Sequence, residues 1–406
     1  MTQRKWYSLA DKIWSPSNLA LAAHAVLTNH GAAGVDHQSC EQFTEHLEDE
    51  LEQLGEAMRR HRYHPLPVRR VYIPKPGTAK QRPLGVPAVR DRVVEEAIRR
   101  LLEPLWEPTF SPDSYGFRPR RNAQEAVQRI YQHLTEGYHW VVDADIQNYF
   151  GSIDQSRLLD KVAERVADGT VFGWIREMLR AGVMEAGAFL PTPSGTTQGS
   201  VLSPLLANIY LDQLDEAMAT LPDIQYIRYA DDWCALARTR EAAEAALTLA
   251  QQVLTDLQLI LHPEKTRIVD AHEHGFDFLG FTFFWVYPKQ GGPGRPLYGP
   301  KRTAIVRFKD RIRALTRRTR PFNIQQIIAD LAPVIRGWGQ YFTISHTGDY
   351  YRLDAWIRER CRAFIAKCWN RSRALDYEWT NHRLKQLGLP SLAQMRQQVL
   401  AQGSRP

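Results

Sequence analysis

Two short apolar runs with adjacent aspartates between them constrain the local fold more than any other stretch of this 406-residue chain. The runs are IQYIRY (224–229) and WCALA (233–237), and Asp231 and Asp232 lie between them. Runs of this kind, separated by a few residues, predict two strands joined by a tight turn. Two like charges in such a turn repel each other unless Arg228 neutralises them, one of them stays protonated, or a divalent metal binds.

A second acidic strand is predicted before this hairpin. The run WVVDADI (140–146) is short and rich in β-branched residues, which is typical of a buried strand. Asp143 and Asp145 lie two residues apart and therefore point to the same face of that strand. The segment GSVLSPLLANIYLDQLDEAM (199–218), between the two acidic strands, has the pattern of a long helix. This order of elements predicts an α+β core.

The rest of the chain is predicted to surround this core and to extend it. Helical spacing of apolar residues predicts a helix over 41–60, and further helices are predicted from 88 to about Pro104, from 123 to Gly137 and over 241–258. A hairpin with a basic loop is predicted over 68–87, and the apolar run 276–287 favours a strand. The Pro- and Gly-rich stretch 288–300 predicts a domain boundary. Beyond it, a helical module reaches to about Arg373, with one apolar face formed by Ile305, Phe308, Ile312 and Leu315.

Positive charge is concentrated in two segments. The net charge is +7, whereas residues 59–92 carry ten Lys or Arg and one acid, and residues 301–320 carry nine and one. Such segments indicate a polyanionic partner, although ordinary solvated faces are the alternative. The sequence predicts neither a signal peptide nor a membrane span, and its four scattered cysteines lack the spacing of a zinc site. A cytoplasmic protein, near the nucleoid in a bacterium, is therefore expected.

Ten blocks, in their order along the chain, resemble the group II intron-encoded reverse transcriptases. They cover about residues 20–370 and are NHGAAGVDHQSCEQF (29–43), VRRVYIPKPGTAKQRPLGVPAVRDRVVEEAI (68–98), DSYGFRPRRNAQEAV (113–127), VVDADIQNYFGSID (141–154), TQGSVLSPLLANIYL (197–211), YADD (229–232), LHPEKTRIVD (261–270), FDFLGFTF (276–283), IRGWGQYF (335–342) and LDAWIRERCR (353–362). The resemblance implies right-hand polymerase fingers and a palm with an antiparallel sheet, followed by an all-helical thumb, or maturase, domain. The expected domains are 1–290 (N-terminal extension, fingers and palm), 301–375 (thumb) and 376–406 (a short polar tail that could bind DNA).

The resemblance also implies the catalytic metal ligands. Asp145, Asp231 and Asp232 would hold two Mg²⁺ ions, because the acid of the family directly precedes the segment that here reads IQNYF. Asp143 is then expected to be an acid at the surface end of its strand. Mg²⁺ prefers carboxylate oxygens, waters and substrate phosphates, so the pair in YADD would find its missing positive partner in the metal.

Nucleotide and RNA contacts are implied in the same way. Phe150 would lie beneath the incoming sugar and exclude a 2′-hydroxyl, with ordinary core packing as the alternative. The other expected contacts with the nucleotide or the primer end are Lys75, Arg82, Gln198, Gly199 and Lys265. Contacts of the thumb with RNA are expected from Arg311, Arg313, Arg317, Arg318 and Arg320.

The sequence departs from the family pattern at several places. Gly151 stands where relatives commonly have Asp, and Thr197-Gln198-Gly199-Ser200 replaces Pro-Gln-Gly-Gly. Neither change affects an expected metal ligand. Many relatives carry a nuclease domain with paired cysteines and histidines that this sequence lacks, so cleavage of target DNA is not predicted.

The function expected from these features is RNA-directed DNA synthesis from dNTPs on a DNA primer, together with binding of a group II intron RNA to promote its splicing and retromobility. Two alternatives stay open. One is a free-standing reverse transcriptase of this lineage that acts in DNA repair or defence. The other is a non-catalytic RNA-binding splicing factor, which the three retained aspartates disfavour. The sequence predicts no oligomeric state.

Overall fold

The computed structural model describes residues 5–74, 81–317, 319–368 and 378–403. In chain order the helices are α1 Ala10–Ile13, α2 Pro16–Thr28, α3 Cys40–Glu45, α4 Leu47–Arg59, α5 Val89–Trp106, α6 Ala123–Thr135, α7 Tyr149–Ser152, α8 Gln155–Ala163, α9 Gly169–Arg180, α10 Ser203–Met218, α11 Arg240–Asp256, α12 Arg302–Leu315, α13 Ile324–Phe342, α14 Tyr350–Cys368, α15 Asn381–Gln386 and α16 Leu392–Gly403. The strands are β1 Val68–Pro74, β2 Gln81–Val86, β3 Trp140–Asp145, β4 Val183–Glu185, β5 Ala188–Leu190, β6 Ile224–Tyr229, β7 Asp232–Ala237, β8 Arg267–Asp270, β9 Phe276–Phe278, β10 Phe281–Val286 and β11 Arg295–Pro300.

The chain forms two compact units. The first contains residues 1–122 and 142–268, and the second contains 123–141 and 269–406. None of the helices in the described ranges is both long and apolar enough to cross a bilayer.

Local signals set several helix N-termini in the first unit. The serine, aspartate or threonine before α2, α8, α9 and α11 accepts a backbone N–H of the first turn, which is the usual way to satisfy a free helical donor. The single helix predicted over 41–60 is in fact two helices, α3 and α4. His46 between them leaves the helical region (φ −121°, ψ 27°), so the apolar spacing continues while the backbone breaks.

The fingers-like sheet of the first unit has the strand order β2-β1-β4-β5. β1 and β2 pair antiparallel from Arg69 opposite Val86 to Pro74 opposite Gln81, which confirms the hairpin predicted over 68–87. Its basic loop, 75–80, lies outside the described residues. The short strands β4 and β5, which the sequence analysis did not predict, extend this sheet at β1.

A second sheet, with the strand order β6-β7-β3-β8, brings together the two acidic stretches. β6 and β7 pair antiparallel, with Tyr229 opposite Asp232, as the hairpin pattern predicts. β7 lies next to β3, and Val141, Val142 and Ala144 of β3 are buried. Asp145 at the end of β3 therefore lies beside the hairpin strand that begins with Asp232.

The apolar run 276–287 forms two strands of a three-stranded sheet in the second unit. Leu279 and Gly280 take positive φ values of 47° and 80°, and they turn β9 back into β10. β11 pairs antiparallel with β10 from Phe281 opposite Pro300 to Val286 opposite Arg295. The Pro/Gly-rich stretch 288–300 that was expected to separate domains thus forms the turn and the second strand of a hairpin within one unit. Such residues favour a turn whether it joins two domains or two strands.

The helices after residue 301 share one hydrophobic core. Phe308 and Ile312 of α12 are buried in it, with Ile305 and Leu315 packed against them, which confirms the predicted apolar face. The segment predicted to be a polar tail also contributes to this core through Trp379, Leu384, Leu389 and Leu392. Asp354 of α14 accepts the N–H groups of Leu392 and Ala393 (2.9 and 3.1 Å), so it caps the N-terminus of α16.

Candidate active site

The turn of the β6–β7 hairpin presents the adjacent aspartates. Tyr229 pairs with Asp232, so Ala230 and Asp231 form a two-residue turn. Ala230 has a φ of 59°, in the left-handed region that residues with a Cβ rarely adopt. This conformation costs roughly 1–2 kcal/mol, so the surrounding contacts must hold it in place.

A buried arginine supplies those contacts. The side chain of Arg228 is 0% exposed, and its guanidinium donates to both carboxylate oxygens of Asp215 on α10 (2.7 and 2.5 Å). Its Nη1 also donates to Asn208 Oδ1 (2.9 Å) and to the carbonyl oxygen of Ala230 (3.1 Å). Arg228 therefore fastens the strained turn to α10. The option that Arg228 pairs with Asp231 and Asp232 is wrong, because its guanidinium faces Asp215.

The two turn aspartates are electrostatically unfavourable as carboxylates. Burial, and then the charges of Asp231 and Asp145, raises the pKa of Asp232 to about 6. Burial also raises the pKa of Asp231, with repulsion from Asp145 adding to the shift and Arg82 and Lys265 opposing it. Asp232 keeps an exposed surface, yet the protein atoms around it limit the hydration of its charge. Asp145, Asp231 and Asp232 thus act on each other as one group of charges.

Asp145 has a lysine partner from a distant part of the chain. Lys265 Nζ donates to Asp145 Oδ2, and the Lys265 side chain is 60% exposed. The backbone holds this segment in place, because His262 N–H donates to the Asp145 carbonyl (2.7 Å) and Gln147 N–H to that of Ile260 (2.8 Å). An exposed ammonium here supplies positive charge to the acids and can move away at little cost.

The other acid of β3 has its own partner. Arg267 Nε donates to Asp143 Oδ2 at 3.3 Å, and the ion pair lies at the partly exposed end of β8. Asp143 is half-buried, and its charge adds less to the raised pKa of Asp232 than the charges of Asp231 and Asp145 do.

The donor set fits a divalent cation. The charge of Asp145 adds to the raised pKa values of Asp231 and Asp232, and the ammonium of Lys265 pairs with Asp145 where a cation could bind. A bound cation removes the repulsion and keeps the acids ionised.

A different group of ligands lies in the second unit. Of the residues that the structure describes, only His139, Asp270 and His272 place three ligand atoms all within 4.8 Å of one another. The two imidazole rings are stacked, with centroids 4.1 Å apart and planes at 11°. Ring nitrogens coordinate a metal in the plane of the ring, so the stacked planes do not converge on one ion.

Phe150 follows the aspartate strand in the short helix α7. Asn148 before this helix has a left-handed φ of 48°, and this turns the chain so that Tyr149 points inward and Phe150 is half-buried. Tyr149 is fully buried and donates to the Ala207 carbonyl (2.5 Å). The Phe150 ring lies at an angle to Tyr149 and edge-on to Phe117, with centroids 5.3 and 6.2 Å away. A Cβ at Gly151 would meet only the amide end of the exposed Asn148 side chain, so nothing in the structure explains the departure at Gly151.

The loop of Gln198 and Gly199 lies against β2. Gly85 N–H donates to the Gln198 carbonyl (2.8 Å), and Gly199 has a φ of 114°. A Cβ at Gly199 would collide with the Gly85 carbonyl oxygen, so glycine is required there for both reasons.

The carboxylate that anchors this loop was missed in the sequence analysis. Glu95 of α5 is buried, and it accepts the N–H of Val201 (2.7 Å) and a bond from Ser200. Burial raises the pKa of Glu95 to about 7. Its only signal in the sequence is an acid on the apolar face of a helix, VVEEAI. The serine that replaces glycine in the loop thus serves as a donor to Glu95.

Of the two basic residues of the fingers hairpin that were expected to bind the nucleotide, the structure describes one. Arg82 lies on β2, opposite Ile73, and is close enough to Asp231 to lower the pKa of that acid. Lys75 lies outside the described residues.

Of the thumb arginines, Arg311 and Arg317 are exposed, and Arg318 lies outside the described residues. Arg313 bonds to Asp310 (2.6 Å) and lies over the Trp356 ring (5.5 Å from its centroid). Arg320 bonds to Asp330 (2.8 Å). These two arginines already have partners within the protein.

Comparison with known proteins decides the family. The sequence model of the reverse transcriptase (RNA-dependent DNA polymerase) family matches residues 73–283. The chain belongs to this family. The model of the group II intron maturase-specific domain matches residues 305–387, which confirms the resemblance to group II intron-encoded reverse transcriptases and maturases. The assignment as an RNA-directed DNA polymerase with an α+β polymerase fold is confirmed with it.

Individual relatives match different shares of the chain. Protein YkfC of Escherichia coli is 33% identical over an alignment of 308 positions, and the match covers 66% of this chain and 80% of that protein. The group II intron-encoded protein LtrA of Lactococcus lactis is 36% identical over 208 residues, which are 51% of this chain and 34% of LtrA. Among solved structures, a chain of the partial Cas6-RT-Cas1–Cas2 complex matches with a TM-score of 0.39 and 24% identity, over 61% of this chain and 42% of that one.

Reverse transcriptases of this family generally use divalent metals, and the maturase-specific domain implies binding of intron RNA.

Proposed function

We propose that the reverse transcriptase copies RNA into DNA with two Mg²⁺ ions held by Asp145, Asp231 and Asp232, and that it binds a group II intron RNA to promote splicing and retromobility. The observation that carries the catalytic part is the set of three mutually repelling carboxylates on neighbouring strands. When bound, the metal ions supply Lewis-acid activation of the primer 3′ oxygen and charge neutralisation at the leaving pyrophosphate.

The residues of the chain then have distinct tasks. Asp231 and Asp232 are presented by a turn that Arg228 fixes to α10, so they need no rearrangement of the backbone to act together. Lys265 balances the charge of Asp145 and, being exposed, swings toward the primer end when a cation takes its place. Arg82 meets the triphosphate through charge-assisted bonds, with Lys75 as its partner on the same hairpin.

Selection of the sugar and of the base pair depends on two further elements. Phe150 excludes a 2′-hydroxyl by its bulk, and its half-buried ring leaves one face available for this contact. Gln198 and Gly199 approach the nucleotide through backbone that has no room for a side chain at Gly199.

The remainder of the chain serves RNA and DNA binding in this proposal. Residues 1–290 form the N-terminal extension, fingers and palm, and residues 301–375 form the thumb. The match of the maturase-specific model to 305–387 supports the thumb assignment. Arg311 and Arg317 are exposed and available for phosphates, whereas Arg313 and Arg320 must exchange an internal partner first. Residues 376–406 would contact the DNA target, and the protein would act in the bacterial cytoplasm.

The catalytic part is tested by primer extension on an RNA template. Asp231→Asn keeps the shape of the side chain and removes its charge, so we expect extension to fall at least about a hundredfold. The matched control is Asp223→Asn, an exposed acid just before β6 of the same hairpin, which should extend at the wild-type rate. Extension that survives Asp231→Asn at the wild-type level would refute the metal assignment.

The RNA part is tested by sequencing the RNA that copurifies with the protein from its native cells. One dominant structured RNA, encoded around the reading frame of the protein, is the expected result. A mixture of cellular RNAs would instead support the free-standing reverse transcriptase. Binding of the dominant RNA should weaken steeply as salt rises, because phosphate contacts release counterions.

A further inference from the structure

Phe117 combines two features that ordinary packing does not explain. Its side chain is 46% exposed, which by itself is common for a single surface aromatic. Its backbone φ is 59°, a left-handed conformation that is unusual for any residue with a Cβ and especially for a bulky one. A residue that keeps this strain while it exposes its ring is a candidate for a functional role.

The chain on the N-terminal side of Phe117 is fixed to the aspartate hairpin. Tyr115 N–H donates to the Arg228 carbonyl (2.8 Å), and the Gly116 carbonyl accepts from Asn208 Nδ2 (2.9 Å). Gly116 lies so close to the turn that a Cβ there would collide with the backbone nitrogen of Ala230. Phe117 is therefore held one residue away from the backbone of the YADD turn.

The chain on the C-terminal side is fixed as firmly. Arg118 is 9% exposed, and its guanidinium donates to Glu107 Oε2 (3.0 Å) and to the carbonyl oxygens of Ser111 and Ser114 (2.5 and 2.8 Å). With both neighbours immobilised, the position of the Phe117 ring is defined by the fold, although the ring is exposed.

That position is against Phe150. The two rings meet at 73°, with centroids 6.2 Å apart, which is the edge-to-face geometry that aromatic pairs favour. On its other side Phe150 contacts Tyr149, which is buried and anchored through its hydroxyl. Phe150 thus lies between one aromatic ring that belongs to the core and one that belongs to a strained, exposed loop.

We propose that Phe117 is a positioning residue for sugar selection, which it exerts by holding the Phe150 ring in the orientation that excludes a 2′-hydroxyl. This inference rests on the proposed role of Phe150. Loss of the Phe117 ring frees one side of Phe150, so the ring can rotate away and admit a ribonucleotide. The polymerase activity with deoxynucleotides does not need that restraint.

The test compares single-nucleotide extension of a DNA primer on an RNA template with dATP and with ATP. Phe117→Asn removes the ring, and asparagine tolerates the left-handed backbone, so this variant is expected to fold. We expect the ratio of kcat/KM for dATP to that for ATP to fall about two- to tenfold, the range that corresponds to loss of an aromatic pair. The change should come from a lower KM for ATP, while kcat and KM for dATP stay close to wild type.

Two further variants separate positioning from a general structural effect. Phe117→Tyr keeps the ring edge and should keep the wild-type ratio. In a Phe150→Ala background, Phe117→Asn should cause no further fall, because the residue it positions is gone. Tyr7→Ala, which removes another exposed aromatic of the same unit, should leave the ratio unchanged.

Each contrary result overturns a different statement. If Phe150→Ala lowers the ratio and Phe117→Asn does not, Phe117 has no positioning role. If the two effects add, Phe117 acts without Phe150 and the proposed route is wrong. If Phe150→Ala extends primers with an unchanged ratio, Phe150 is not the sugar gate and the inference falls with it. If the wild-type protein extends no primer with dATP, the proposed polymerase function itself fails.

Discussion

Two groups of charged residues meet at the β6–β7 hairpin, and their charges are balanced to different degrees. One joins Arg228 of β6 to Asp215 of α10, and the other is the aspartate pair of the turn. Below the turn, Arg228 and Asp215 are buried, and the guanidinium donates a hydrogen bond to each carboxylate oxygen. Asn208 Oδ1 accepts a further hydrogen bond from the guanidinium. On the turn, burial and repulsion from neighbouring carboxylates raise the pKa values of Asp231 and Asp232. The first group is complete within the protein, whereas the second becomes complete when a cation binds. A buried charge therefore indicates a binding site only when the protein leaves it unbalanced.

The largest effect is expected from breaking the balanced group. Arg228→Met leaves Asp215 as a buried charge without its partner, so the free energy of unfolding should fall by about 3–5 kcal/mol. Urea denaturation of the wild type and the variant measures this difference. Arg240→Met, which breaks the exposed ion pair with Glu244, is the matched control and should cost less than about 1 kcal/mol.

A double variant sharpens the same point. Arg228→Met combined with Asp215→Leu removes both charges and should recover much of the lost stability, because the penalty comes from the unpaired acid. Equal losses for Arg228→Met and Arg240→Met would mean that burial of this pair has no special energetic role.

An intermediate effect is expected at Glu95, a buried acid held mainly by hydrogen bonds from the Val201 N–H and Ser200. Its pKa in the folded protein is about 7, above the usual 4.5 of a glutamate, so the folded protein retains a proton that the unfolded chain releases. The contribution of Glu95 to stability therefore becomes less favourable as the pH rises from about 4.5 to 7, and it is constant above that. Over this window the change amounts to at most about 3 kcal/mol.

The measurement is the difference in unfolding free energy between Glu95→Gln and wild type as a function of pH. Glutamine can still accept the Val201 N–H and carries no charge. The unfolding free energy of the variant should therefore rise relative to that of the wild type as the pH increases from 4.5 to 7.5. Glu52→Gln, an exposed acid of α4, is the matched control for the same change of side chain outside the core. A difference for Glu95→Gln that does not change with pH would show that Glu95 is not held near neutrality by burial.

The smallest effect is expected at Lys265, the exposed cation that balances Asp145. Lys265→Met removes the ammonium that competes with Mg²⁺ for the carboxylate of Asp145. The Mg²⁺ concentration for half-maximal primer extension should therefore fall about two- to fivefold, which corresponds to the strength of an exposed ion pair. Arg267→Met, which removes the partner of Asp143 on the same strand, should leave the Mg²⁺ dependence unchanged. An increased Mg²⁺ requirement in Lys265→Met would mean that the lysine assists metal binding.

Much of the fold could be predicted because its signals are local. The alternating apolar runs of β6 and β7, the helical spacing of α5, α10 and α11, and the apolar face of α12 each predict an element without reference to the rest of the chain. Predictions failed where the backbone changes direction inside a continuous pattern, as at His46 between α3 and α4. They also failed where Pro and Gly residues are compatible with either a domain boundary or a hairpin turn, as in the turn of the β10–β11 hairpin.

The sequence by itself identifies the catalytic candidates and the family, because both depend on the residue types in each motif and on the order of the motifs along the chain. Only the tertiary structure decided the partners of the charged groups. Lys265 reaches Asp145 across 120 positions, and Arg228 turns to Asp215 and away from its neighbouring aspartates. The same holds for Glu95 beneath the Gln198 loop and for Phe117 against Phe150. Such pairings depend on which elements pack together, and no local pattern of residues encodes the direction in which a side chain finds its partner.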